Sequence, residues 1–319
     1  MSSTAVIRAG ALFVVGALAG CPRAGDPSSD PDAPGPGDGN DDAMVDIDAP
    51  PSTADVVLVG AGDIAGGGPG KQITADLIKA IPDAAVFTIG DNAYNDGSSS
   101  DFQSNFEPSW GAFKSRIKFP VPGNHDYTTA NASGYFGYFG AAAGDPSKGY
   151  YSADYGAWHV IVVNSNCSAV GGCNTGSQQE LWLRADLAAH SNRCTIALWH
   201  HPLWNVGVHG AANEMWPITK TLYEGGADVI LTGHDHDYQR WTPMTHNGVP
   251  DAAHGLRAFV VGTGGIGFYN FTSEDPHVEV RNNQTFGVLK LTLHAESYDW
   301  EFIAQPNATF HDSGTGECH

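Results

Sequence analysis

The chain has 319 residues, 41% of them hydrophobic, and a formal net charge of −20 from 35 acidic and 15 basic side chains. That length and apolar content suffice for one large core or two small ones and exclude a wholly disordered chain. The acidic balance excludes a general nucleic-acid binder, which uses a basic face to neutralise phosphates.

Residues 1–21 read as an export signal: Arg8 supplies a positive charge, 9–20 form a short apolar stretch, and Leu18-Ala19-Gly20-Cys21 closes it in the manner of a bacterial lipobox. The stretch is too short to span a bilayer. The expectation is attachment through a lipidated Cys21, and not through a transmembrane helix, to the cell envelope (outer membrane or cell surface), with ordinary secretion as the alternative. Residues 22–55 are mostly Pro, Asp, Gly, Ser and Ala. With so little to bury, they cannot offset the entropy of folding and are expected to form a disordered tether before a domain at 56–319.

Within that domain, apolar β-prone runs recur at 56–60, 85–89, 118–121, 158–164, 195–199, 229–232, 257–261 and 287–293. Apolar spacing of three and four predicts helices at 71–81 and 178–190, and a third at 216–224. Two hairpins are expected: 150–155 turns through Gly156 into the Trp158 run, and 289–293 leads to 298–303. This order predicts an α/β fold, a four-layer α/β/β/α sandwich of two mixed sheets flanked by helices. Besides Cys21 there are four cysteines, an even number in an exported domain. Cys167 and Cys173 close a small loop, which leaves Cys194 to pair with Cys318.

Five strings follow β-prone runs: GAGD (60–63), GDNAY (90–94), GNHD (123–126), WHHP (199–202) and GHDH (233–236). In open α/β sheets, ligands collect beyond the carboxyl ends of strands, where such loops converge. Oxygen and nitrogen donors without thiolate suit iron, zinc or manganese in a hydrolytic site. Asp63 and Asp91 supply carboxylates, His200, His234 and His236 supply imidazoles, and Asn124 offers a neutral amide oxygen, with Asp91 expected to bridge two ions. The glycine-rich loop at 66–70 lacks the Lys-Ser/Thr ending of a P-loop, and GTGGIG (262–267) is not set in a βαβ unit.

On these strings the chain resembles the calcineurin-like metallophosphoesterases and, within them, the purple acid phosphatases. The general family opens with Asp-x-His. Here the string is Asp63-Ile64-Ala65, and the missing imidazole is offset by Tyr94 in GDNAY, similar to the GDxxY motif whose tyrosine binds a ferric ion. The resemblance implies Fe(III) held by Asp63, Asp91, Tyr94 and His236, and Fe(II), Zn(II) or Mn(II) held by Asp91, Asn124, His200 and His234. It also implies that His125 contacts the substrate phosphate with Asp126 orienting its ring, and that His209 faces the leaving group. His201 is either a further phosphate contact or a packing residue, and Arg240 is expected to pair with Asp235 or Asp237. His159, His190, His246, His254, His277, His294 and His311 stand outside any motif and are read as structural or solvated.

The implied activity is hydrolysis of a small phosphomonoester by metal-activated hydroxide with a histidine acid. A phosphodiester or phospholipid substrate on the same metal core is the enzymatic alternative, and a non-catalytic surface lipoprotein is the alternative of another class. Too little chain precedes Val56 for the amino-terminal domain of the large plant enzymes, so a single catalytic domain is expected.

Overall fold

The computed structural model describes residues 54–191 and 193–319. The export signal, Cys21 and the tether as far as residue 53 lie outside the described residues. At the start of the domain the Asp55 carboxylate already lies 3.0 Å from His294 Nδ1.

In chain order the strands are β1 (Val56–Ala61), β2 (Ala85–Thr88), β3 (Ile117–Phe119), β4 (Tyr151–Tyr155), β5 (Trp158–Val162), β6 (Cys194–Leu198), β7 (Val229–Thr232), β8 (Tyr238–Trp241), β9 (Arg257–Val261), β10 (Val278–Asn282), β11 (Gly287–Leu293), β12 (Ser297–Ala304) and β13 (Ser313–Glu317). The helices are α1 (Gly70–Lys79), the single turn α2 (Ser99–Asp101), α3 (Ser133–Phe139), α4 (Gln178–Ala189) and α5 (Trp216–Glu224). No helix among the described residues is long and apolar enough to cross a membrane.

The strands form two mixed sheets, ordered β13-β12-β11-β1-β2-β3 and β10-β8-β9-β7-β6-β5-β4. Both expected hairpins are present as the antiparallel pairs β4/β5 and β11/β12. Parallel pairing of β1, β2 and β3, and of β5, β6, β7 and β9, brings the carboxyl ends within each group to one edge.

The near-continuous apolar runs follow from burial on both faces. Val160, Ile196, Leu198, Val229, Leu231 and Phe259 join Leu58, Phe87 and Leu291 in the core between the sheets. The alternate residues Ile161, Ala197, Ile230 and Ala258 instead pack against Leu183 and Leu187 of α4 and Ile218 and Leu222 of α5. On the first sheet's side, α1 buries Ala75 and Ile78. The four-layer arrangement is therefore the observed one. Disulfides join Cys167 to Cys173 and Cys194 to Cys318.

Arg240 departs from expectation. It bonds Asp312 through Nε at 2.9 Å and Nη2 at 3.0 Å and also pairs with Glu279, not with Asp235 or Asp237. Strand alternation explains this. Tyr238 and Arg240 share one face of β8, where both reach Asp312, whereas Gln239 on the other face donates to Asp237 at 3.0 Å.

Candidate metal centre

Each string ends in a tight turn at or past the end of a strand, GAGD starting within β1 and GNHD standing three residues past β3, and these turns demand unusual backbone. Asp63, Asp91 and His234 adopt left-handed φ values of 59°, 49° and 71°. Such conformations cost on the order of 1 kcal/mol or more each and cluster where function requires a side chain to be aimed. Glycines make room for these side chains. A Cβ on Gly90 would lie 2.4 Å from His200 Nδ1, one on Gly123 would lie 2.1 Å from Asp91 Oδ1, and one on Gly233 would lie 2.8 Å from Asp63 Oδ2. The glycine of one string is thus required by a donor of another.

The donors converge in two groups. Tyr94 Oη lies 3.1 Å from Asp63 Oδ1, 3.1 Å from Asp91 Oδ2 and 3.2 Å from His236 Nε2. His200 Nε2 lies 3.1 Å from Asn124 Oδ1 and 3.3 Å from Asp91 Oδ1. The His234 ring stands 5.0 Å from that of His200. Asp91 therefore turns one oxygen to each group. Donors about 3 Å apart suit an ion bound through bonds of about 2.1 Å at roughly right angles. The donor set fits two metal ions.

Electrostatics point the same way. Burial pushes the Asp63 carboxyl well above its usual range, with His200 opposing and Asp91 reinforcing the rise. Burial acts likewise on Asp91, but His200 outweighs it and holds that carboxylate below its ordinary value. Burial lowers His236 to about 4 and His201 to about 3, and drives His234 below its normal range with help from His200, His201 and His209. Burial, Asp63 and Asp91 all raise Tyr94. Without a cation the phenol keeps its proton and the carboxylates lack full compensation. Bound cations invert these pressures.

Ring hydrogen bonds sort the histidines further. His200 Nδ1 faces the Ile89 carbonyl at 2.8 Å and must donate to it, so the Nε2 lone pair is left for a ligand. His125 Nδ1 likewise donates to Asn95 O at 2.5 Å. Asp126 does not orient that ring. Its Oδ2 accepts from Gly123 N at 2.8 Å and Asn92 Nδ2 at 2.9 Å. The fully buried Asp126 points into its own turn, away from the half-exposed His125, and shapes the GNHD loop instead; burial raises it to about 7.

The ring of His209 packs 4.1 Å from His234, with Nδ1 3.2 Å from Asp235 Oδ1. His201 packs 4.5 Å from His234, with Nδ1 2.8 Å from Ser165 Oγ. The residues expected at the site are therefore gathered in one cluster, with Asp126 beneath it in the GNHD turn. Three neighbours were not anticipated in this role. Asp235 anchors the His209 loop by also accepting from Val208 N at 2.9 Å, and its place between the histidines of GHDH is a usable signal. Ser165, just beyond β5, carries a weaker one. Tyr269 stacks on His236 at 4.0 Å from a distant loop, and no local pattern announces it.

The sequence pattern of the calcineurin-like phosphoesterases matches residues 34–238. The chain belongs to this family. Purple acid phosphatases are among its relatives. The probable inactive purple acid phosphatase 27 of Arabidopsis thaliana is 27% identical over 288 residues, covering 77% of this chain and 46% of that protein. Purple acid phosphatase 18 of the same plant is 32% identical over 129 residues, covering 39% of this chain and 28% of its own length. The chain thus spans less than half the length of these relatives. Among solved structures, the purple acid phosphatase PPD1 from yellow lupin seeds superposes with a TM-score of 0.69 at 20% identity, covering 84% of this chain and 55% of that one. GAP50, the anchor in the inner membrane complex of Plasmodium, gives 0.66 at 12% identity, covering 83% and 89%. Both share the fold of this metallophosphoesterase.

Proposed function

We propose that this calcineurin-like phosphoesterase hydrolyses small phosphomonoesters, with Fe(III) in the group containing Tyr94 and Fe(II), Zn(II) or Mn(II) in the group containing Asn124. We further propose that it works outside the cytoplasm, anchored through Cys21. The observation that carries the reading is the division of Asp91, one oxygen toward Tyr94 and the other toward His200. A complete donor set favours catalysis over the non-catalytic reading. Tyr94 favours a ferric ion, because only a strongly charged cation overcomes the burial and the carboxylates that keep its proton on.

When bound, such ions polarise phosphate oxygens and lower the pKa of water. The chain's own residues do the rest. Asp63, Asp91, Tyr94 and His236 would hold one ion, and Asp91, Asn124, His200 and His234 would hold the other. His125, with Nδ1 committed to Asn95 O, presents Nε2 to the phosphate. His209, with Nδ1 committed to Asp235, presents Nε2 to the leaving group. As the oxygen of a hydroxide bonds to phosphorus and the ester P–O bond breaks, the proton on His209 Nε2 passes to the departing oxygen, so that inorganic phosphate and an alcohol are released instead of an alkoxide.

Metal analysis with an absorption spectrum tests the reading. The expected result is two ions per chain and a visible tyrosinate-to-Fe(III) band that disappears in Tyr94→Phe. A colourless, fully active protein would overturn the ferric assignment. Faster turnover of a diester than of a monoester would replace the substrate class.

A further inference from the structure

The adjacent histidines of WHHP present an unequal pair. His200, His201 and His234 can each offer a ligand atom within 4.8 Å of the others, so proximity alone would make His201 a third imidazole ligand of the second group. We infer that Ser165 is a positioning residue that fixes the proton of His201 on Nε2, which bars His201 from metal binding and makes it a hydrogen-bond donor to the substrate phosphate. The phosphate half of this inference rests on the function proposed above.

A serine hydroxyl has one hydrogen and two lone pairs. Ser165 is 2% exposed, and its Oγ receives the backbone N–H groups of His200 at 3.3 Å and His201 at 3.1 Å. Those two donors fill its lone pairs. The hydroxyl hydrogen is left to His201 Nδ1 at 2.8 Å. That nitrogen accepts, so the proton of the neutral ring is on Nε2. A doubly protonated ring would give Oγ a third donor and leave its own hydrogen without an acceptor. His200 is the reverse case, because its Nδ1 faces a carbonyl that can only accept. A hydroxyl and a carbonyl therefore assign neighbouring imidazoles to opposite tasks.

The serine is held independently of both rings. On its amino-terminal side, Asn164 N donates to Gln179 Oε1 at 2.8 Å and Gln179 Nε2 returns a bond to Asn164 O at 3.0 Å. On the other side, Asn166 N donates to Asn164 Oδ1 at 3.0 Å, just before the Cys167–Cys173 loop. Gln179 belongs to α4 and is fully buried, so the hydroxyl is placed by the scaffold.

The test uses the full chain loaded with zinc, which is diamagnetic, with 15N-labelled histidine and His201 assigned by its loss in His201→Gln. An unprotonated Nδ1 and a protonated Nε2 are expected, altered in Ser165→Ala and restored in Ser165→Thr. Both Ser165→Ala and His201→Gln should keep two zinc ions per chain and weaken binding of inorganic phosphate about tenfold, the scale of one lost hydrogen bond to a charged group. Zinc lost in His201→Gln, or an unprotonated Nε2, would make His201 a ligand and overturn the assignment. Phosphate binding unchanged in both variants would overturn its role as phosphate donor. If the parent protein with two zinc ions binds no phosphate, the proposed function fails while the tautomer still stands or falls on the spectrum.

Discussion

Two clusters of histidine and carboxylate groups lie at opposite ends of the strands of the second sheet and illustrate how the same side chains serve opposite ends. Beyond β6 and β7, His200, His234 and His236 meet Asp63 and Asp91. Near the start of β5, His159 lies between Asp154, 2.9 Å from Nδ1, and Asp186, 2.8 Å from Nε2, and stacks on His190 at 3.8 Å. Asp154, His159 and His190 also offer ligand atoms within 4.8 Å of one another. Proximity does not separate the two clusters. The direction of the protons does. Carboxylates can only accept, so both His159 nitrogens must donate and the cluster closes on itself as an imidazolium between two anions. At the metal centre a backbone carbonyl takes the His200 Nδ1 proton, and the Nε2 lone pair is left facing the Asn124 and Asp91 oxygens.

The most severe break in the comparison is Asp91→Ala. It should abolish turnover and remove metal from both groups, read by metal analysis, whereas Asp186→Asn at the other end should leave metal content and kcat unchanged. Intact turnover in Asp91→Ala would dissolve the distinction. Chelation comes next. Removing ions present at a hundred to a thousand times their Kd should lower unfolding free energy by about 3–4 kcal/mol for each ion, because Asp63 and Asp91 lose their countercharge. Retained melting temperature after complete metal removal would show that the centre folds without need of a cation. His209→Ala should reduce kcat about 100-fold for alkyl phosphates and less for aryl phosphates, whose leaving groups need no acid. Asp235→Asn should follow in the same direction with a smaller loss, since it removes the charge facing the His209 ring and weakens the anchor of its loop while leaving the imidazole in place.

The metal end was largely legible in sequence because each donor lies at or just past the end of a strand, and in GDNAY, GNHD and GHDH the donor stands beside a glycine that a donor of another string requires. The other end was not. His159 reads as an unmotivated histidine because Asp186 lies 27 residues away on α4, and nothing local links them. The same reason hides β13, whose sequence SGTGE has no apolar residue. It pairs with β12 under the rings of Trp300 and Tyr298, where a Cβ on Gly314 or Gly316 would lie 2.3 or 2.4 Å from an aromatic carbon. Its alternating glycines were the available signal. In α3, SGYFGYF lacks a polar face and carries two glycines. Tyr138 and Phe139 pack on Phe102 and Phe106, so the segment is helical through tertiary contact, not through propensity. Asp126 was misassigned because spacing places a residue on a turn without saying which way it points.

The mildest expected effect is a pH dependence of stability at the closed cluster. Burial opposes a charge on His159, but Asp186 and Asp154 outweigh it and raise its pKa above the ordinary histidine value of 6.5. A group whose pKa is higher folded than unfolded stabilises the fold fully below the unfolded pKa, and that contribution disappears as pH rises through the folded pKa. Asp186 shifts oppositely, lowered by His159 and Ser152 against the pull of burial. Its contribution is present above the ordinary carboxylate pKa and lost in acid. The pair therefore stabilises most between the two, near pH 5 to 6. His159→Gln should cost about 2 kcal/mol in that window and less at pH 9, measured by denaturant unfolding of the metal-loaded protein. The metal content should stay the same throughout. A cost that grows with alkalinity would mean that His159 is neutral in the fold, and the two ends of the sheet would then differ in geometry but not in charge.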